Sequence, residues 1–367
     1  MISALYVHIP FCKQKCKYCD FASFAGRENQ ISTYLDALAR EASSVALRRF
    51  DTLYIGGGTP SLLSVAQWEK LVRLLEENFG PVSRYDESTV EANPESLTKE
   101  KLIFLRQSGF NRLSIGLQSF DDKLLSVLGR VHTVADFLKA YQTARESGFD
   151  NISVDVMAGL PQQTFEMFAN GLNRLAELRP EHISVYGLQI EEGTPFFMQG
   201  VTCDQELMRR MLEYTHERLI QAGYHHYEIS NFALKGRESR HNSHYWRYGR
   251  YIGLGSAAAS FTGGIRRQNT ADISAYIQKI TAGQSAVEFQ EHLTGVAREG
   301  EKMLLALRQL DGVVPSVKAQ QFFNRALEEH IRRGLLVRDG KKVKLSNEGL
   351  YLANEVFRSF VAPFDEL

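Results

Sequence analysis

Cys12-Lys-Gln-Lys-Cys16-Lys-Tyr-Cys19 gathers three of the chain's four cysteines into eight residues, just after the apolar run Leu5-Tyr-Val-His-Ile9. Thiolates this close in sequence can hold iron. A cubane of four irons and four sulfides takes one ligand on each iron, so three cysteines leave one iron open to an outside molecule. The spacing is not that of the common zinc or ferredoxin motifs. Two other readings stand beside it: reduced, unliganded thiols, or a zinc knuckle completed by His8. Cys203 stands alone and reads as a simple thiol.

Downstream of the cysteines, extended and helical patterns alternate. Short β-branched or aromatic runs predict strands at residues 5–9, 52–55, 88–92, 112–116, 152–156 and 182–186. Between them apolar residues recur at helical spacing, as in Tyr34, Leu38, Ala42 and Val45, then Trp68, Leu71 and Leu75. Ser64 with Gln67 fits a capping box at a helix start. Gly109-Phe110, Gly148-Phe149 and Gly223-Tyr224 repeat one ending: a glycine able to take the left-handed C-cap, then an aromatic returning to the core. These repeated units predict an α/β fold with a parallel sheet, a partial TIM-type (β/α)6 barrel. A doubly wound open sheet is the alternative. It would place a glycine-rich loop after the first strand, where this chain has its cysteines; Gly56-Gly57-Gly58 follows the second.

The composition narrows the function classes. With 44% hydrophobic and 23% charged residues, 367 residues suit a globular protein of one large and one smaller domain. The 43 basic and 43 acidic residues cancel, which argues against nucleic acid as a main partner. No stretch has the apolar length of a membrane span, and no secretory signal opens the chain, so clustered cysteines point to a reducing, cytoplasmic setting. The expected division is 1–230 for the barrel, 231–290 for an extension rich in Gly, Ser, Tyr, His and Arg, and 291–367 for a smaller domain. That last part reads as mostly helical, with a hairpin around Asp339-Gly340 and a helix over 347–360. Helices followed by a small hairpin resemble a winged-helix module, here expected to pack or bind a partner protein rather than DNA.

CxxxCxxC with Tyr18 before the last cysteine resembles the signature of the radical S-adenosylmethionine (radical SAM) superfamily, and Gly56-Gly57-Gly58-Thr59-Pro60 resembles that superfamily's GGxxP element. The resemblance implies a [4Fe–4S] cluster on Cys12, Cys16 and Cys19, with SAM on the open iron. It also implies SAM contacts at Tyr6, Gly57, Gly58, Thr59, Glu91, Gln118, Arg130 and Asp155, with Arg130 on the SAM carboxylate and Asp155 on the ribose. The residues alone say less. Glu91 and Asp155 are carboxylates inside apolar runs and need partners, and Arg130 can clamp a carboxylate with paired donors. A rim ion pair, a surface ion pair, a core tyrosine and a tight turn are the ordinary readings of Glu91, Arg130, Tyr6 and the glycines.

The fuller match is to the coproporphyrinogen-dehydrogenase-like branch. It runs through Tyr6-Val-His-Ile-Pro-Phe-Cys12, 56–61, 116–119, 155–161 and His241-Asn-Ser-His-Tyr-Trp246, roughly the first two-thirds of the chain. The oxygen-independent coproporphyrinogen III dehydrogenases carry an N-terminal extension and a further cysteine two positions after the third. Here Cys12 comes early and Phe21 holds that later position. In both respects, and in HNxxYW, the chain resembles the HemW-type heme chaperones. That resemblance implies heme as cargo, held at His241 and passed to a heme-accepting protein. A neutral imidazole can donate a lone pair to heme iron, and Tyr245 and Trp246 offer flat apolar faces. His244 is the second choice; His225 and His226 read as structural. The alternative functions are radical oxidative decarboxylation of coproporphyrinogen III, or a catalytically silent scaffold.

Overall fold

A computed structural model of the chain describes residues 3–362. At its centre lie six strands: β1 Ser3–Ile9, β2 Thr52–Gly57, β3 Glu87–Ala92, β4 Arg112–Gln118, β5 Ile152–Ala158 and β6 His182–Gly187. Each pairs parallel with the next in chain order. Helices α1 Ile31–Ser44, α2 Val65–Phe79, α3 Lys99–Gln107, α4 Val134–Glu146, α5 Phe165–Leu178 and α6 Gln205–Gln221 follow the strands in turn. This is the expected α/β barrel of six units. It stays open because the two outermost strands of the whole sheet do not pair with each other.

Local chemistry explains the units. Ser64 accepts the Gln67 amide at 3.3 Å while the Gln67 side chain accepts the Ser64 amide at 2.8 Å, so α2 starts in the expected capping box. Gly109, Gly148 and Gly223 all have φ near +90°. That conformation lets the amides of Phe110, Phe149 and Tyr224 reach back to the carbonyls of Leu105, Ala144 and Leu219. All three rings are then buried.

The two faces of the strands differ sharply. Outward residues such as Leu5, Val7, Leu53, Ile55, Leu113, Ile115, Ile152 and Val154 are fully buried under the helices, against Tyr34, Leu38, Trp68, Leu71 and Leu75. Inward residues are polar: Thr52, Glu87, Thr89, Arg112, Ser114, Ser153, His182 and Ser184, all buried. Because strand side chains alternate, one polar residue in two builds a polar lumen within an apolar shell.

Both sheet edges are extended. β7 His225–Glu228 and β8 Asn231–Ala233 add antiparallel beside β6. On the other side β9 Arg250–Leu254 pairs parallel with β1, followed by antiparallel β10 Ala259–Thr262, β11 Ile265–Asn269 and β12 Val287–His292. Helix α7 Arg240–Trp246 connects the two edges. Residues 303–360 enclose a second apolar core around Met303, Phe323, Leu327, Val356 and Phe360. Two details differ from expectation there. Asp339 pairs with Lys342, so the hairpin turn is Gly340-Lys341, one residue later. The last helix is broken at Leu352 (φ −108°, ψ 22°) into Asn347–Tyr351 and Ala353–Arg358, which brings Ala353, Val356 and Phe357 onto the core. No helix among the described residues is long and apolar enough to cross a membrane.

Candidate functional site

The cysteines follow β1 at the carboxyl end of the barrel. All are free thiols, Cys12 buried and Cys16 and Cys19 half-buried. Few bonds hold them: Thr59 Oγ1 donates to Cys12 Sγ at 3.5 Å, and an Arg130 nitrogen donates to Cys16 Sγ at 3.4 Å. Burial raises the thiol pKa of Cys12 and Cys19. Among the described residues no three His, Cys, Asp or Glu side chains are gathered around one point as a single metal ion needs. A four-iron cube instead takes each sulfur on a separate iron, so the chemistry of this donor set fits the cluster. His8 is engaged elsewhere, Nδ1 with the Tyr6 hydroxyl and Nε2 with the Ala22 carbonyl, both at 2.9 Å.

The glycine run passes under this loop. A Cβ on Gly57 would fall 2.7 Å from the His8 ring, and one on Gly58 would fall 2.7 Å from the Phe11 carbonyl and 3.0 Å from Cys12 Sγ. Close approach therefore requires these glycines. Their amides are not free for a ligand: Gly57 donates to Glu91, Gly58 to Ile9 and Thr59 to Phe11. What the run can offer is space and carbonyl oxygens, which suit an amino group.

Around it stand the other named residues. Glu91, next to last in β3, accepts from Tyr54 Oη at 2.7 Å and from the Gly57 amide at 3.0 Å. Burial pushes its pKa up to about 7, against the lowering effect of those two bonds. Gln118 ends β4 with φ +71°, at a bulge in the pairing with β5, a backbone state that costs free energy. Asp155 lies mid-strand in β5, accepts from Ser114 at 3.2 Å, and is raised in pKa by burial. Arg130 donates to Asn93 Oδ1 at 2.7 Å and the Gly116 carbonyl at 2.8 Å as well as to Cys16. Asn93 in turn donates to Thr59 at 3.1 Å. One polar chain, Arg130–Asn93–Thr59, thus links two of the three thiols. Sequence reading passed over Asn93; its signal is a place two residues beyond Glu91, at the same end of β3.

His241 is at the other end. It sits on α7, which docks on the first residues of the strands. The Glu87 carboxylate, at the start of β3, accepts the amides of Arg240 and His241 at 2.9 and 3.0 Å and so caps the helix. Thr52, at the start of β2, meets His241 Nδ1 at 2.8 Å, and Tyr245 Oη meets Nε2 at 2.7 Å. The imidazole is 1% exposed and lies 5.0 Å, centroid to centroid, from the Tyr54 ring. Burial, helped by the charges of His244 and Arg112, pushes its pKa down to about 3, so it is neutral. A cavity of about 680 Å³ opens here, lined by Tyr54, His241, Tyr245, Trp246, Tyr251 and Phe261, and it runs on to Tyr6, His8, Gly57 and Glu91 beside the glycine run. That volume suits a sizeable organic ligand. His244 also faces away from free use, its Nε2 engaged with the Arg250 carbonyl at 2.8 Å. Thr52, Glu87 and Tyr54 escaped the sequence reading, as single residues in strands far from the motif.

The open six-unit barrel with three thiols at its carboxyl end defines a radical SAM protein, and residues 6–175 match the Radical SAM superfamily. The chain is 37% identical to the heme chaperone HemW of Bacillus subtilis (strain 168), over 98% of this chain and 99% of that one. It is 31% identical to the heme chaperone HemW of Escherichia coli (strain K12), over 98% of each. It therefore belongs to the HemW family within the radical SAM superfamily, which implies a [4Fe–4S] cluster and SAM. Its structure is also similar to coproporphyrinogen III oxidase (HemN) from Escherichia coli, a radical SAM enzyme. The TM-score is 0.85 at 28% identity, covering 98% of this chain and 90% of that one.

Proposed function

We propose that this protein is a cytoplasmic heme chaperone: it binds heme through His241 and hands it to an acceptor protein. The cluster would be held by Cys12, Cys16 and Cys19, and SAM by Tyr6, Gly57, Gly58, Thr59, Glu91, Gln118, Arg130 and Asp155. In the proposed division of labour, residues 1–230 hold cluster and SAM, 231–290 supply the heme ligand, and 291–367 meet the partner. The observation that carries the reading is the aromatic cavity beside a neutral, oriented imidazole in a chain related throughout its length to heme chaperones.

The residues have distinct tasks. Thr52 at Nδ1 fixes the ring's orientation, as the outer hydrogen-bond partner of a metal-bound histidine does. Tyr245 closes Nε2 and must swing aside before iron can reach it. Tyr54 connects the ends, its ring against His241 and its hydroxyl on Glu91. Arg130 and Thr59 orient the thiols by donating to sulfur, and Thr59 offsets part of the upward push that burial gives the Cys12 thiol. When bound, cluster and SAM supply a one-electron source and its acceptor. The free thiols agree with a reducing compartment.

The test is anaerobic reconstitution with iron and sulfide, then heme titration of wild type and His241→Gln, with coproporphyrinogen III, SAM, a low-potential reductant and an electron acceptor offered in parallel. Micromolar or tighter heme binding that the variant loses supports the reading. Protoporphyrinogen formation would instead favour the oxidative decarboxylation that the likeness to HemN suggests.

A further inference from the structure

A second cavity, about 1160 Å³, fills the barrel lumen, reaches Cys19, Gln118 and Asp155 at its carboxyl end, and shares Phe21, Tyr54, Glu91, Tyr186 and Asn242 with the aromatic cavity at His241. Arg112, the first residue of β4, lines it. The residue is 2% exposed and its Nε is buried without a partner. No carboxylate among the described residues lies within ion-pair reach of its guanidinium. Glu91 and Asp155 on the lumen feel its charge, and Glu87 and Glu228 are buried carboxylates on other strands of the sheet, yet each is bonded elsewhere. Glu87 caps α7, Glu91 accepts from Tyr54 and Gly57, Asp155 accepts from Ser114, and Glu228 accepts from the Ser230 amide. A guanidinium with no hydrogen bond or close ion pair in a protein interior is costly, and one that faces a cavity is a place where an anion can bind.

The ligand class follows from the surroundings. The neighbouring Glu91 and Asp155 disfavour a doubly charged phosphate, whereas a single carboxylate matches the planar fork of one guanidinium. A porphyrin seated against His241 has such groups on flexible arms at its rim. We propose that Arg112 receives a propionate carboxylate of the tetrapyrrole carried at His241. The inference rests on the heme reading above and adds the residue that would read the cargo's acidic edge. It makes the protein selective for tetrapyrroles with a free propionate over esterified ones.

The experiment compares heme with its dimethyl ester on the full-length protein, wild type and Arg112→Gln. Wild type is expected to bind heme at least about tenfold more tightly than the ester, in line with a charge-assisted hydrogen bond. Arg112→Gln should lose that preference while keeping wild-type affinity for the ester, and Arg112→Lys should recover part of it. The ligand-free thermal midpoint of Arg112→Gln should change little, because the guanidinium makes no hydrogen bond or close ion pair in the protein, only a longer-range attraction for Glu91 and Asp155. Equal binding of both compounds by wild type, or equal weakening of both by Arg112→Gln, overturns the inference and leaves the heme reading intact. Failure of wild type to bind either compound overturns both.

Discussion

The two ends of the barrel are built on opposite plans. At the carboxyl end, three thiols sit in a loop that Arg130 and Thr59 touch with one long hydrogen bond each. At the amino end, His241 is enclosed, packed at a tilt against the Tyr54 ring and bonded at both nitrogens. On the proposed reading the first would be a set of ligands with few strong protein bonds, so loading it would disturb little of the protein. The second would be a ligand already satisfied by the protein, so loading it would require Tyr245 to yield. A cofactor that stays bound suits the first plan, and a cargo that must be released suits the second, because the displaced bond re-forms when the cargo leaves.

Substitutions can break or sharpen that contrast. The largest expected effect is Cys16→Ser, which should abolish cluster incorporation, read from visible absorbance after anaerobic reconstitution, yet leave the ligand-free thermal midpoint nearly unchanged. His241→Ala should do the reverse for stability. It removes a buried ring and strands Thr52 and Tyr245, costing about 3 kcal/mol in urea melts.

Acid should act at the amino end next. The His241 pKa of about 3 lies below the unfolded value. The stability gained by keeping it neutral is present above about pH 6.5 and is lost as pH falls toward 3. His241→Gln should flatten that part of the stability–pH curve. Glu91 acts with the opposite sign. Its pKa of about 7 lies above the unfolded value, so its contribution is present in acid and lost as pH rises through 7. Glu91→Gln should remove that loss. The smallest effect is at the latch. Tyr245→Phe deletes one neutral hydrogen bond to Nε2 and should tighten heme binding about two- to tenfold, with slower heme release in stopped-flow transfer to apomyoglobin.

What could be read beforehand divides along the same axis. The cysteines and glycines are contiguous, and their spacing carries the chemistry, so the carboxyl end was legible. The six strands showed through their β-branched runs, and the capping box and glycine stops through local bonds. The amino end depends on Thr52, Glu87 and Arg112, each a lone polar residue opening a strand. Nothing local distinguishes such a residue from a solvated strand end; only closure of the sheet turns it inward. The pairing of β9 with β1 was equally hidden, since a parallel pair is joined by no turn. His241 was found through its motif, but its place opposite the cysteines was not, and the usual gathering of chemistry at carboxyl strand ends pointed the other way. The shifted hairpin turn and the break at Leu352 are differences of one residue, within which packing rather than pattern decides.

The separation of the two loads is the central claim. Anomalous iron scattering from anaerobic crystals of the protein holding oxidised cluster and ferric heme measures it directly. The length of a six-residue strand predicts the two iron sites roughly 20 Å apart, with the heme iron lost in His241→Gln. Iron sites roughly 10 Å apart or less, or a heme iron indifferent to His241, would place the cargo beside the cluster and contradict the account.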